Sequence, residues 1–224
     1  MAASATFVEA RRDQSSLTAG IEKRALVWLA ARMPEAINSD HLTTLGLLAM
    51  VAAGAAYAMS QRWPSALHLV NLCLLLNWFG DSLDGTLARH RRRTRPRYGF
   101  YVDHMVDTFG MAFLLGGLAL SGFMSVGVAA VLLVAYYALS IHIYLATYVL
   151  GVFRIAYGKL GGTELRLVLA IGNLALLAWP RLAVFGREWR LYDVLGTAAT
   201  AALLAVLLVS SARTTRDLFR LERL

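Results

Sequence analysis

The chain has 224 residues, of which 58% are hydrophobic and 16% charged, with a mean hydropathy of +0.56. A soluble domain carries about 25% charged residues, so the composition excludes an ordinary soluble protein and indicates an all-α integral membrane protein. The net charge of +8 fits arginines in cytoplasmic loops facing anionic lipid, which argues against nucleic acid as a partner.

Taken in chain order, the first seventeen residues are mostly polar or small and lack the apolar core of a signal peptide. Next, Ile21, Ala25, Trp28 and Leu29 repeat at helical spacing, which predicts a short amphipathic helix ended by Pro34. It lies either on the cytoplasmic membrane surface or against the protein's own cytoplasmic side. Six spans of about 20 residues follow: His41–Ser60, Pro64–Leu87, Gly99–Leu120, Val128–Gly151, Glu164–Trp179 and Leu191–Ser211. Cys73, the one cysteine, lies inside the second, so no intrachain disulfide or cysteine metal site is available. With both termini inside, eighteen of the Lys and Arg residues fall on the cytoplasmic side and four (Arg62, Arg181, Arg187, Arg190) outside, which sets the expected topology. The expected organisation is a cytoplasmic segment over 1–40, a six-helix catalytic domain over 41–211 and a cytoplasmic tail over 212–224.

Between the second and third spans, "GDSLDGTLARHRRRTRPRYGFYVDHMVD" places four of the fourteen acidic residues, Asp81, Asp84, Asp103 and Asp107, at the ends of apolar runs. On a helical wheel Asp84, Gly85, Ala88 and Arg89 fall at roughly 300°, 40°, 340° and 80° from Asp81, all one face. From Gly99, Asp103 and Asp107 fall at roughly 40° and 80°, again one face. The short basic loop makes the two helices antiparallel neighbours. Asp81 and Asp107 then lie about 10 Å inward, with Asp84 and Asp103 a turn shallower. Clustered carboxylates repel unless cations neutralise them. Oxygen donors without His or Cys suit Mg²⁺ or Mn²⁺, and four can hold two ions for phosphoryl transfer. Gly85, Ala88 and Gly99 leave room for a substrate or for close helix packing, and Arg89 is placed to bind a phosphate. The other arginines of the loop read as topology-setting residues. A cation pathway in a transporter is the competing reading of the same carboxylates.

Asn77, one turn before Asp81, either lines the site or hydrogen-bonds a neighbouring helix; Glu164 either serves substrate or site support or is a solvated helix start. His104, at roughly 140°, points off the aspartate face. Tyr136, Tyr137 and His142 of the fourth span are functional candidates as intramembrane polar residues, with packing and interhelical bonding the favoured reading.

The segment "DSLDGTLAR" followed by "GFYVDHMVD" resembles the signature of the CDP-alcohol phosphotransferase (CDP-alcohol phosphatidyltransferase) family, D-x-x-D-G-x-x-A-R then G-x-x-x-D-x-x-x-D. All eight fixed positions match: Asp81, Asp84, Gly85, Ala88, Arg89, Gly99, Asp103 and Asp107. The spacer from Arg89 to Gly99 is nine residues, one more than is usual there. The resemblance implies transfer of a substituted phosphate from a CDP-alcohol donor to an alcohol acceptor, with release of CMP. It implies two divalent ions on the four aspartates, Asp107 as general base, and Gly85, Arg89 and Gly99 binding the CDP moiety. The expected reaction is phosphatidyl transfer from CDP-diacylglycerol; the alternative is transfer from CDP-choline or CDP-ethanolamine to diacylglycerol. Dimerisation is common in proteins that look like this one, but no motif in the chain bears on a homodimer.

Overall fold

The computed structural model describes residues 19–150, 162–184 and 186–222. Expectations resting on Arg11, Arg12, Gly151, Arg154, Lys159 and Arg223 lie outside the described residues. Within them the chain forms seven helices and one hairpin: α1 (Ala19–Arg32), α2 (Ser39–Ser60), α3 (Ala66–His90), α4 (Pro96–Leu120), α5 (Val126–Leu150), α6 (Gly162–Ala178), β1 (Arg181–Val184), β2 (Arg187–Arg190) and α7 (Leu191–Leu221). By length and composition, α2, α3, α5 and α7 are apolar enough to cross a membrane. α6 has only 17 residues, and α4 carries Asp103, His104 and Asp107 in its first half.

The boundaries have local causes. Asn38 caps α2: its side chain accepts from the His41 amide at 3.0 Å, while the His41 ring accepts from the Asn38 amide at 3.3 Å. This reciprocal pair satisfies two amides that the helix start leaves unpartnered. Pro96 opens α4, where its missing N–H costs nothing, so the helix begins three residues before the expected Gly99. Arg91 is more than the topology-setting residue expected. Its guanidinium donates to the carbonyls of Met33, Pro34 and Ile37 and fastens the α3–α4 loop to the α1–α2 corner.

α1 packs on α3, and its buried face overlaps the one the apolar spacing suggests only at Leu29. Leu26 and Ala30 are buried with Leu42, Leu83 and Leu87, and Leu29 packs partly buried against them, while Ala25 and Trp28 are exposed; the Ile21 side chain lies outside the described residues. Glu22 explains the rotation. Its carboxylate accepts from Trp78 Nε1 at 2.8 Å, Thr163 Oγ1 at 2.8 Å and Ser82 Oγ at 3.3 Å. Satisfying that charge turns Leu26 inward and leaves Val27 and Trp28 facing out.

The main core joins α2, α3 and α4 through Ala53, Tyr57, Leu67, Val70, Leu114 and Leu118. α2 and α4 touch backbone to backbone. A Cβ on Gly54 would overlap the Phe113 carbonyl, and one on Gly117 would overlap the Gly54 carbonyl, the close approach that small residues permit between membrane helices. α5 packs on α4 and α7, and α6 on α3. Asn173, wholly buried, accepts from Tyr57 Oη at 2.7 Å and Tyr192 Oη at 2.6 Å and donates to Asn71 Oδ1 at 2.7 Å. It thereby links α2, α3, α6 and α7.

Two features add to the expected organisation. Between the fifth and sixth expected spans, Arg181–Val184 and Arg187–Arg190 pair as an antiparallel hairpin, Arg181 opposite Arg190 and Val184 opposite Arg187. Gly186 supplies the positive φ (+73°) of its turn, and Arg181 pairs with Glu188 across the strands at 3.1 Å. The stretch after Ser211, expected as a tail, continues α7 to Leu221. At about 1.5 Å per residue, 31 helical residues reach about 46 Å, well beyond a hydrocarbon core of about 30 Å.

Candidate active site

The last turns of α3 and the first turns of α4 carry the four aspartates, with only residues 91–95 between the helices. Asp84 is held hardest. Thr43 Oγ1 on α2 donates to its Oδ2 at 2.6 Å, the Gly85 amide donates to its Oδ1, and Ser39 Oγ donates to its backbone carbonyl at 2.9 Å. Asp81 accepts from Arg166 Nη2 on α6 at 2.6 Å, with side chains 26% and 17% exposed respectively. The same guanidinium donates through Nε to Asn77 Oδ1 at 2.7 Å, and Asn77 Nδ2 donates to the Gly46 carbonyl on α2 at 3.0 Å.

The four carboxylates share one electrostatic environment. Asp84 stands in the field of Asp103 and Asp81. Asp107 stands in the fields of Asp81, Asp103 and Asp84, opposed by Arg166. Tyr136 and Tyr144 of α5 also feel Asp107, so a polar stripe of α5 borders the cluster. Among the described residues no three acidic, His or Cys side chains form a ready ion site as they lie; Asp81 and Asp84 are engaged by Arg166, Thr43 and Gly85 instead.

The remaining expected residues fall as follows. Arg89 lies over Gly85: a Cβ there would stand 3.3 Å from Arg89 Nη1, and Nη2 donates to Thr86 Oγ1 at 3.2 Å. Ala88 is half-buried. Gly99, in the first turn of α4, faces open space, with nothing within 4 Å of a Cβ. Asn77 is buried and bonds a neighbouring helix, touching the cluster through Arg166. Glu164 is buried in the first turn of α6. His104 stays beside the aspartates rather than pointing off their face: its Nδ1 donates to the Phe100 carbonyl at 2.6 Å and lies 3.9 Å from Asp103 Oδ2, and its ring stands edge-on to Tyr144 at 4.8 Å. His142 lies 3.3 Å from Ser211 Oγ on α7, an interhelical contact.

Sequence reasoning missed Arg166, Thr43 and Ser39. A signal existed for each. Arg166 sits inside an apolar span, where a charge is a functional candidate by default. Ser39 and Thr43 are one turn apart, on one helix face.

Comparison with curated proteins gives no match. The family model for CDP-alcohol phosphatidyltransferase matches residues 37–212, which include α2, the aspartate-bearing ends of α3 and α4, and Arg166. By that match over most of its length, and with the aspartates gathered where the two helices meet, the chain belongs to the CDP-alcohol phosphatidyltransferase family.

Proposed function

We propose that this protein is an integral-membrane phospholipid synthase that transfers a phosphatidyl group from CDP-diacylglycerol to the hydroxyl of a small polar alcohol or alcohol phosphate. The observation that carries the reading is the placing of four carboxylates on the adjoining ends of α3 and α4 in an otherwise apolar bundle, with Asp81 tied to α6 and Asp84 to α2. The family supports transfer from a CDP-alcohol. In this reading α2 to α7 give six spans, both termini are cytoplasmic, and the site opens to the cytoplasm beside its arginine-rich loop.

In its chemistry, though not in the arrangement of the described side chains as they lie, the donor set suits a pair of Mg²⁺ or Mn²⁺ ions. It offers only carboxylate oxygens, from four side chains on two adjacent helices. Asp81, Asp84, Asp103 and Asp107 would hold them. Bound ions would neutralise the donor's pyrophosphate and stabilise the attacking and leaving oxygens. Asp107 accepts the proton of the acceptor hydroxyl as its oxygen bonds to the phosphatidyl phosphorus. The bond from that phosphorus to the bridging oxygen breaks, and CMP leaves with the electron pair. A carboxylate is a weak base toward an alcohol, so it acts only within hydrogen-bond reach. Thr43 and Ser39 keep Asp84 in one position, and Arg89, over Gly85, binds the CDP moiety with Gly99 and Ala88 leaving room beside it.

The test is release of CMP from CDP-diacylglycerol by purified protein, with serine, glycerol 3-phosphate and inositol phosphate offered in turn. CMP is expected only when both an acceptor and Mg²⁺ or Mn²⁺ are present. Cation transport by reconstituted protein without CMP release would refute the reading.

A further inference from the structure

Arg166 is a feature of the site that neither the aspartate pattern nor the proposed chemistry requires. It comes from α6, 85 residues after Asp81, and sets a cation among carboxylates that the reaction would give to metal. Its fork is used at two points. Nη2 holds Asp81 at 2.6 Å and Nε holds Asn77 at 2.7 Å, with Asn77 itself fixed to the Gly46 carbonyl. The charge also reaches Asp107, where it opposes the three neighbouring carboxylates. Without it, four partly buried carboxylates would stand with no cation from the described residues on Asp81, a costly arrangement inside an apolar bundle.

We propose that Arg166 is the internal counter-cation of this cluster: it neutralises Asp81 in the ion-free protein and releases it when a divalent ion binds. A guanidinium and a divalent ion on one carboxylate repel each other, so the two states exclude one another in proportion to their closeness. Asn77 makes the exchange local. It retains Nε while the Nη end swings away, so α6 does not have to move. Arg is required rather than Lys, because only the planar fork reaches both partners at once. The role is one of positioning and charge balance, exerted through Asp81. It rests on the reading that the carboxylates hold divalent ions.

The experiment measures Mn²⁺ binding by electron paramagnetic resonance on purified wild type, Arg166→Gln and Arg166→Lys, with melting temperatures taken in EDTA and in saturating Mn²⁺. Arg166→Gln is expected to bind Mn²⁺ about tenfold more tightly. It should melt below wild type in EDTA, and that gap should close with Mn²⁺. Arg166→Lys should bind at least threefold more tightly than wild type, since its single ammonium cannot span Asp81 and Asn77; if the Gln variant does not fold, this result decides alone. Unchanged or weaker Mn²⁺ binding in both variants overturns the proposal, as does a Lys variant at wild-type affinity, which would reduce Arg166 to diffuse charge. Wild type that binds no Mn²⁺ overturns the metal reading as well, whereas wild-type binding with indifferent variants overturns this proposal alone.

Discussion

At Gly80, one residue before Asp81, α3 lies against the backbone of α2. An alanine Cβ there would lie 2.5 Å from the Leu42 carbonyl oxygen, 2.8 Å from the Gly46 amide nitrogen and 3.0 Å from Gly46 Cα. All three are backbone atoms, so no side chain can swing aside. Restoring the ordinary contact of 3.4 Å forces the helices apart by about 0.9 Å. Leu42 precedes Thr43, whose 2.6 Å bond fixes Asp84. The same displacement would stretch that bond to about 3.5 Å, beyond useful hydrogen bonding. Overpacking of this kind costs about 1–3 kcal/mol, and a misplacement of about 1 Å at a reacting centre costs about 100-fold in rate. Gly80→Ala should therefore fold with a lowered melting temperature and release CMP about 100-fold more slowly. Gly46→Ala is the control at the same crossing: its Cβ would meet Asp81 N at 3.5 Å and Asn77 Nδ2 at 3.6 Å, ordinary contacts. It should stay within about threefold of wild type, helped by the better helix propensity of alanine. Equal rates for the two variants, or a Gly80→Ala enzyme with more than half the wild-type rate, would refute the reasoning.

Asp107→Asn should abolish CMP release while expression and melting temperature stay near wild type, because the amide is isosteric but cannot take a proton; retained turnover removes Asp107 from its role as base. Arg89→Ala should raise the KM for the CDP-alcohol while Mn²⁺ affinity, read by titration, changes little; equal loss of both would argue against a nucleotide contact. Asn173→Leu should lower stability by about 2 kcal/mol, from three interhelical hydrogen bonds at about 0.6 kcal/mol each, with turnover of the remaining folded enzyme unchanged. Detergent unfolding and specific activity per folded molecule separate those effects.

The long apolar helices were legible because hydropathy and length act along the chain, and the aspartate faces because 100° per residue fixes which side chains share a side. The approach of Arg89 Nη1 to within 3.3 Å of a Cβ placed on Gly85 follows from that rotation. Contacts set by tertiary approach were less legible. Arg166 was counted only for its charge, since nothing local says that α6 packs on α3 beside Asp81. Gly80 looks like any small residue until α2 lies against it. The buried face of α1 was misread because a spacing of apolar residues ignores Glu22, whose three partners rotate the helix. The hairpin escaped notice because four-residue strands are too short for alternation to register.

The seam where Gly54 meets α4 also bears on how the site can breathe. It locks the far half of α4 to α2, whereas the near half carries the aspartates, so α4 resembles a lever with its fulcrum where Gly54 meets Phe113. Asp107 and Asp103 lie six and ten residues from Phe113, or about 9 and 15 Å along the axis. A tilt of roughly 5° about that point would carry them about 0.8 and 1.3 Å while the glycine seam stays shut. The same tilt would press Gly110 on the Met50 side chain, 3.1 Å from a Cβ placed there, so substitutions at the seam or at Met50 should alter the span of the mouth.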